Sequence, residues 1–225
     1  MAGKAETTVR DDAVPLVCIH GLAGSSHWWS AVAGELEAVG PVCLLDLPRA
    51  LPPRELPGWV VEEIEKLADE VDLAGHSLGG LVALRVAAAR PDLVRKLILI
   101  APPGIQSRRS AIAYGPPLLA SMLRIRPRFL IRLATDAARA GPRNLLRGGA
   151  HVAATDARSE AAAVQTPTLL VWGEHDRLTP SSIGLQWLEA LPDARLRVIE
   201  DAGHVPMIEA PQELVDAIRA FRSES

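Results

Sequence analysis

A serine between two glycines, in Gly75-His76-Ser77-Leu78-Gly79, stands where an apolar run gives way to an Ala/Leu/Val-rich stretch of helical character. A strand-to-helix turn that tight holds its middle residue in a strained backbone conformation. Glycines two positions either side leave room for the neighbouring chain. The hydroxyl is lifted above the sheet edge at a helix N-terminus, whose free N–H groups favour negative charge. That is a place to make an alkoxide and to hold an oxyanion. The plain alternative is a glycine-rich helix start without chemistry, so the pattern needs partners elsewhere in the chain.

A serine nucleophile needs a base, and the base needs an orienting acid. Six histidines are available. His204, in Asp201-Ala202-Gly203-His204-Val205-Pro206, follows the last apolar run and is the candidate base; the alternative is a loop histidine that caps the next helix. His20 ends an apolar run beside Gly21, which points to a backbone role. His76 should face away from its neighbour Ser77, and His27, His151 and His175 read as surface or loop residues. Asp176, in Gly173-Glu174-His175-Asp176-Arg177, is the candidate acid, with Glu174 its competitor and a plain turn aspartate the alternative. Some layouts place the acid one strand earlier, but there the chain reads Ala101-Pro102-Pro103 and carries no carboxylate. Two backbone N–H groups complete the set: Leu78, directly after the serine, and Leu22 in His20-Gly21-Leu22-Ala23-Gly24.

These residues matter only if the intervening chain brings them together. Residues 14–20 (VPLVCIH) form a continuous apolar run, as expected of a strand buried on both faces of a parallel sheet. A Gly/Ser loop and a helix over 27–39 follow, then a second buried strand at 41–46 (PVCLLD). Residues 46–58 carry four prolines and read as a loop. A short amphipathic helix over 59–70 precedes the strand 71–74, and a long helix runs over 78–90. Further strands are expected at 96–101, 168–172 and 195–199, with helices over 180–190 and 211–222. Residues 7–10 leave room for one short edge strand. The alternation predicts an α/β fold with an open, mostly parallel sheet and helices on both faces. Ligands bind beyond the carboxyl ends of the strands in such sheets, which is where Ser77, Asp176 and His204 all fall.

Together these pieces resemble the α/β-hydrolase fold superfamily. The matching motifs are His20-Gly21, Gly75-His76-Ser77-Leu78-Gly79-Gly80, Trp172-Gly173-Glu174-His175-Asp176 and Gly203-His204. The order serine, acid, histidine is that family's own. The resemblance implies a serine esterase, thioesterase or related hydrolase, with a core formed by residues 1–101 and 166–225 and a helical cap at 102–165. A carbon–carbon bond hydrolase or lyase on the same triad is an alternative, and so is a low-turnover ligand-binding member. Serine at 77, where dehalogenases and epoxide hydrolases of this fold use aspartate, argues against those two chemistries. Two departures stand out. The family's usual Gly-x-Gly-x-Ser is replaced by Asp46-Leu47-Pro48-Arg49-Ala50-Leu51-Pro52-Pro53, and the N-terminal strands are curtailed. Both changes are expected to open one side of the sheet or of the pocket.

The 102–165 segment holds ten arginines and no lysine against Asp136, Asp156 and Glu160, so it is net +7 in a chain of net −3. Arg108, Arg109, Arg124, Arg126, Arg128 and Arg132 alternate with Leu118, Leu119, Met122, Leu123, Ile125, Phe129, Leu130 and Ile131. Three readings fit: a basic lid over an acyl chain bearing an anionic group, transient contact with an anionic membrane, or arginines paired with the acidic core.

At 225 residues, 48% hydrophobic and 23% charged, the chain has the make-up of an ordinary globular protein able to bury a core. No apolar run approaches the roughly 18 residues of a membrane span, and residues 1–10 lack the hydrophobic segment of a secretory signal. Cys18 and Cys43 fall in expected strands and read as free thiols in a reducing cytoplasm. No metal-ligand spacing, nucleotide-binding glycine motif or nucleic-acid motif is present. No cofactor is implied, and the expected partner is a small-molecule acyl substrate.

Overall fold

The apolar runs form the centre of a six-stranded sheet. In the computed structural model, which describes residues 13–105 and 127–224, every strand pairing is parallel. The strands are β1 (Leu16–Ile19), β2 (Val42–Leu45), β3 (Val71–His76), β4 (Val94–Ile100), β5 (Thr168–Gly173) and β6 (Ala194–Ile199), in the order β2-β1-β3-β4-β5-β6. β1, β3 and β5 are buried along their whole length, as two-sided apolar strands must be. β2 differs from expectation. All four of its residues are only half-buried, because it lies at the edge of the described sheet. The expected strand at 7–10 lies outside the described residues.

Helices cover both faces. A 3₁₀ turn at Ser26–Trp29 leads into α1 (Ser30–Leu36), and a second at Glu37–Val39 closes it, so the expected single helix over 27–39 is wound in three pieces. α2 (Leu56–Leu67) starts three residues before the expected 59. Pro57 falls in its first turn, where no N–H is needed. α3 (Leu78–Ala89) follows the serine with nine of its residues buried, α7 (Ser181–Ala190) follows β5, and α9 (Pro211–Ser223) ends the chain. One apolar cluster holds Leu73, Leu84, Leu97, Trp172 and Trp187 on one face of the sheet. The other holds Trp28, Trp29, Ile98, Val171 and Phe221 on the opposite face.

At the amino end of the sheet, Asp72 accepts hydrogen bonds from Arg95 and from Arg222 of α9, and Lys96 Nζ donates to the Phe221 carbonyl at 2.8 Å. The carboxyl end is left to loops. Among the described residues no helix is long and apolar enough to cross a membrane.

Between β4 and β5 the described chain is helical: α4 (Pro127–Ala140), α5 (Pro142–Ala154) and α6 (Arg158–Ala163). Arg85 of α3 ties this segment down, with Nη1 donating to His151 Nε2 at 3.0 Å and Nε to Glu160 at 3.3 Å. Arg108, Arg109, Arg124 and Arg126 and the apolar residues among them lie outside the described residues, as does the side chain of Arg128.

Candidate active site

Ser77 sits between the last residue of β3 and the first of α3, with φ 51° and ψ −119°. Left-handed backbone of this kind is costly for a side chain larger than glycine's, and it persists where the surroundings over-determine it. Here they do. A methyl group on Gly75 would collide with the Gly79 carbonyl, and one on Gly79 would lie 2.5 Å from the His20 carbonyl oxygen. The two glycines let β1, β3 and α3 close around the turn, and the hydroxyl is left half-buried at the carboxyl edge of the sheet.

Asp176 leaves the end of β5 in a turn it partly builds itself. Its Oδ1 accepts the Leu178 and Thr179 N–H groups at 2.8 and 2.9 Å, while Oδ2 accepts the Thr179 hydroxyl at 2.7 Å. Trp172 Nε1–H fixes the same turn through the Thr179 carbonyl at 2.8 Å. The free position on Oδ2 goes to His204 Nδ1–H at 2.7 Å, which leaves His204 Nε2 facing Ser77 Oγ at 3.2 Å. So the structure brings Ser77, His204 and Asp176 into one hydrogen-bonded line, and Asp176 is both a turn aspartate and the partner of His204. Glu174, its competitor, points outward and accepts the Asp201 N–H at 3.2 Å.

Burial alone would push the His204 imidazole down, but the Asp176 charge and hydrogen bond overcome it and hold the pKa above 6.5. For Asp176 burial works upward and is outweighed by the His204 charge and by the bonds from His204 and Thr179, so its carboxyl is held below the usual range.

The loop bearing His204 is held from two sides that the sequence did not reveal. Glu209, in the short helix α8 (Pro206–Glu209), accepts the Gly203 N–H at 2.7 Å and the Val205 N–H at 2.9 Å. His76 Nε2–H donates to the His204 carbonyl at 2.8 Å, with the two rings 5.0 Å apart. Burial, with the nearby His204, pushes the His76 pKa down to about 3, so this ring stays neutral; its buried Nδ1 meets no hydrogen-bond partner among the described residues.

The loop after β1 supplies the other side of the site. His20 donates from Nδ1 to the Gly21 carbonyl at 2.8 Å and accepts the Leu47 N–H on Nε2 at 3.0 Å, which staples this loop to the one after β2. Neither Leu22 N–H nor Leu78 N–H meets a backbone carbonyl among the described residues, as expected for Leu78 at the start of a helix. Asp136 of α4, counted from sequence only as a charge, is fully buried and accepts the Ser25 hydroxyl at 2.8 Å and the Trp28 indole N–H at 3.1 Å.

A pocket of about 60 Å3 opens beside this loop, between Leu22 and Leu78, the stretch after β2 and helix α5. The stretch that departs from the family's usual glycine motif therefore forms one pocket wall. At the surface beyond β5 and β6, Glu174, His175 and Asp201 place one possible cation-ligating atom each within 4.8 Å of one another. No further feature marks that trio as a metal site.

Residues 16–217 match the model of the alpha/beta hydrolase family. The proposed carbamate hydrolase RutD of Pseudomonas savastanoi is 32% identical, over 89% of this chain and 90% of its own. A pimeloyl-[acyl-carrier protein] methyl ester esterase of Neisseria meningitidis is 30% identical, over 98% of each chain. Among solved structures, a bromoperoxidase from Bacillus anthracis superposes with a TM-score of 0.82 at 20% identity, covering 94% of this chain and 92% of its own. That last likeness speaks to fold alone.

Proposed function

This chain belongs to the alpha/beta hydrolase family, and on that premise we propose that it is a serine hydrolase cleaving a carboxylic ester or thioester through an acyl-enzyme on Ser77. The observation that carries the assignment is the line from Ser77 Oγ to His204 Nε2 at 3.2 Å and from His204 Nδ1 to Asp176 at 2.7 Å. Ser77 Oγ attacks the carbonyl carbon as His204 Nε2 takes its proton, and Asp176 orients the ring and stabilises its charged form. The Leu22 and Leu78 N–H groups hold the oxyanion. The imidazolium then protonates the leaving alcohol or thiol. Water, deprotonated by the same nitrogen, attacks the acyl-Ser77 carbonyl, and the imidazolium returns the proton to Ser77 Oγ as the acyl–oxygen bond breaks and the acid leaves.

An oxygen ester is the favoured substrate, supported by the methyl ester esterase among the relatives. The 102–165 segment acts as a cap over the site, and its arginines suit an acyl substrate carrying negative charge. A reducing cytoplasm fits the free Cys18 and Cys43.

Replacing Ser77 with alanine tests the reading. Turnover of short p-nitrophenyl esters and labelling by a fluorophosphonate probe should both vanish. Labelling that survives in S77A would overturn the assignment of the nucleophile.

A further inference from the structure

The pocket beside the loop after β1 has a chemical asymmetry that the triad does not need. Its walls near Leu22 and Leu78 are apolar, and Leu47, Leu51 and Leu56 continue that character. Two arginines line it from opposite elements: Arg49, exposed, from the stretch after β2, and Arg147, half-buried, from α5. Neither forms an ion pair or side-chain hydrogen bond among the described residues, whereas Arg85, Arg90, Arg95, Arg158, Arg195 and Arg222 elsewhere in the chain do. Asp46, whose charge Arg49 feels, is already engaged by the Ser26 N–H at 2.7 Å and hydroxyl at 2.9 Å. The lining amide of Asn144 donates to the Ala140 carbonyl at 2.9 Å, so the guanidinium groups are the pocket's cationic donors.

We propose that Arg49 and Arg147 bind a carboxylate at the far end of the acyl group, so that the preferred substrates are half-esters of short dicarboxylic acids. This rests on the hydrolase reading above and adds the substrate's class. A guanidinium offers a planar pair of N–H donors that matches a carboxylate, and the apolar walls lessen screening by water around half-buried Arg147. The volume of about 60 Å3 admits roughly four to six water-sized groups, so the acyl chain is short. Leu22 is the hinge of the arrangement. Its backbone N–H is the expected oxyanion donor, and its side chain packs against Gly148, directly after Arg147, where any added methyl group would strike it.

The test compares monomethyl glutarate with dimethyl glutarate, the same acyl skeleton with and without the charge. The wild-type protein should favour the half-ester at least about tenfold in kcat/KM. Arg147→Gln should cut that ratio about tenfold, the scale of one charge-assisted hydrogen bond lost from a partly buried site. Arg49→Gln, being exposed, should cut it no more than about fivefold. Arg147→Lys, which keeps the charge but loses the planar pair of donors, should keep only part of the ratio, and Arg143→Gln, exposed on the same helix and outside the pocket, should keep all of it. As a readout independent of turnover, glutarate should slow fluorophosphonate labelling of Ser77 in the wild type and lose that protection in R147Q. Hydrolysis of the diester with no preference for the half-ester, or equal losses in R143Q and R147Q, would overturn this inference and leave the hydrolase reading standing. Absence of both ester turnover and Ser77 labelling would remove the hydrolase reading itself, and this one with it.

Discussion

Asp72 and Asp176 are both fully buried carboxylates, one at each end of the same sheet, and they are set to different work. At the amino end Asp72 is bound by Arg95 Nε and Nη2 at 2.9 and 2.6 Å and by Arg222 Nε at 2.6 Å. Arginine keeps its proton in proteins, so Asp72 meets fixed charges that fasten α9 to β3. At the carboxyl end Asp176 meets backbone N–H groups, a hydroxyl and one imidazole. Only the imidazole gains or loses a proton near neutral pH. A buried carboxylate thus becomes a clamp or part of a proton relay according to its partner. The geometry around each is equally tight.

Exchanging the carboxylates for neutral groups should separate these roles. Asp176→Asn keeps the shape of the turn, but its amide group can no longer hold the His204 ring in the required tautomer. We expect kcat to fall by about 10⁴-fold while the urea melting midpoint falls less than in Asp72→Ala. The pH dependence should move too. The wild-type rate should rise with pH through a pKa above 6.5, because the base must be neutral and Asp176 favours its charged form. In D176N burial is left to act, and that limb should shift to lower pH.

Asp72→Ala should do the reverse. Removing it leaves Arg222 buried without its counter-charge, a loss of about 3–5 kcal/mol of stability for a broken buried pair, read from urea melts. The kcat of the folded fraction should stay at the wild-type value, since the cluster is a sheet's length from Ser77. A D72A protein with full stability, or one whose kcat falls as far as that of D176N, would erase the distinction between the two ends.

What the sequence revealed follows the same division. The six strands were legible because their apolar runs do not depend on what lies beside them, and Ser77, Asp176 and His204 because each follows such a run. β2 was misjudged as fully buried: exposure depends on strand order, which VCLL does not encode. The helix over 27–39 was expected whole, yet adjacent Trp28 and Trp29 are both buried at its tightly wound start. Supporting residues were missed wherever the contact is long-range. Asp136 is more than a hundred positions from Ser25 and Trp28, and His76 reaches across 128 positions to the His204 carbonyl. Glu209 was within reach of inspection: a carboxylate five positions after His204, near a helix start, is placed to accept loop N–H groups.

Thr179 offers the finest test of the comparison, because it supports Asp176 much as Arg95 supports Asp72 but without a charge. Its hydroxyl donates to Asp176 Oδ2 at 2.7 Å and lies 3.3 Å from His204 Nδ1. In Thr179→Val the shape is kept and Oδ2 retains only His204. Asp176 should then hold its proton more readily, since one of the bonds that lowers its pKa is gone. The depressed carboxyl contributes stability that is present above its unfolded value and lost as pH falls through its folded value, so T179V should begin to lose stability at a higher pH during acid unfolding. A hydrogen bond to a charged group contributes about 1.5–3 kcal/mol, shared here between stability and the alignment of His204. We expect kcat to drop about tenfold with KM nearly unchanged, and Thr179→Ser to restore it. If the hydroxyl served the fold alone, T179V would lower the melting midpoint while kcat stayed level. Thr179 would then belong with the arginines at the other end of the sheet.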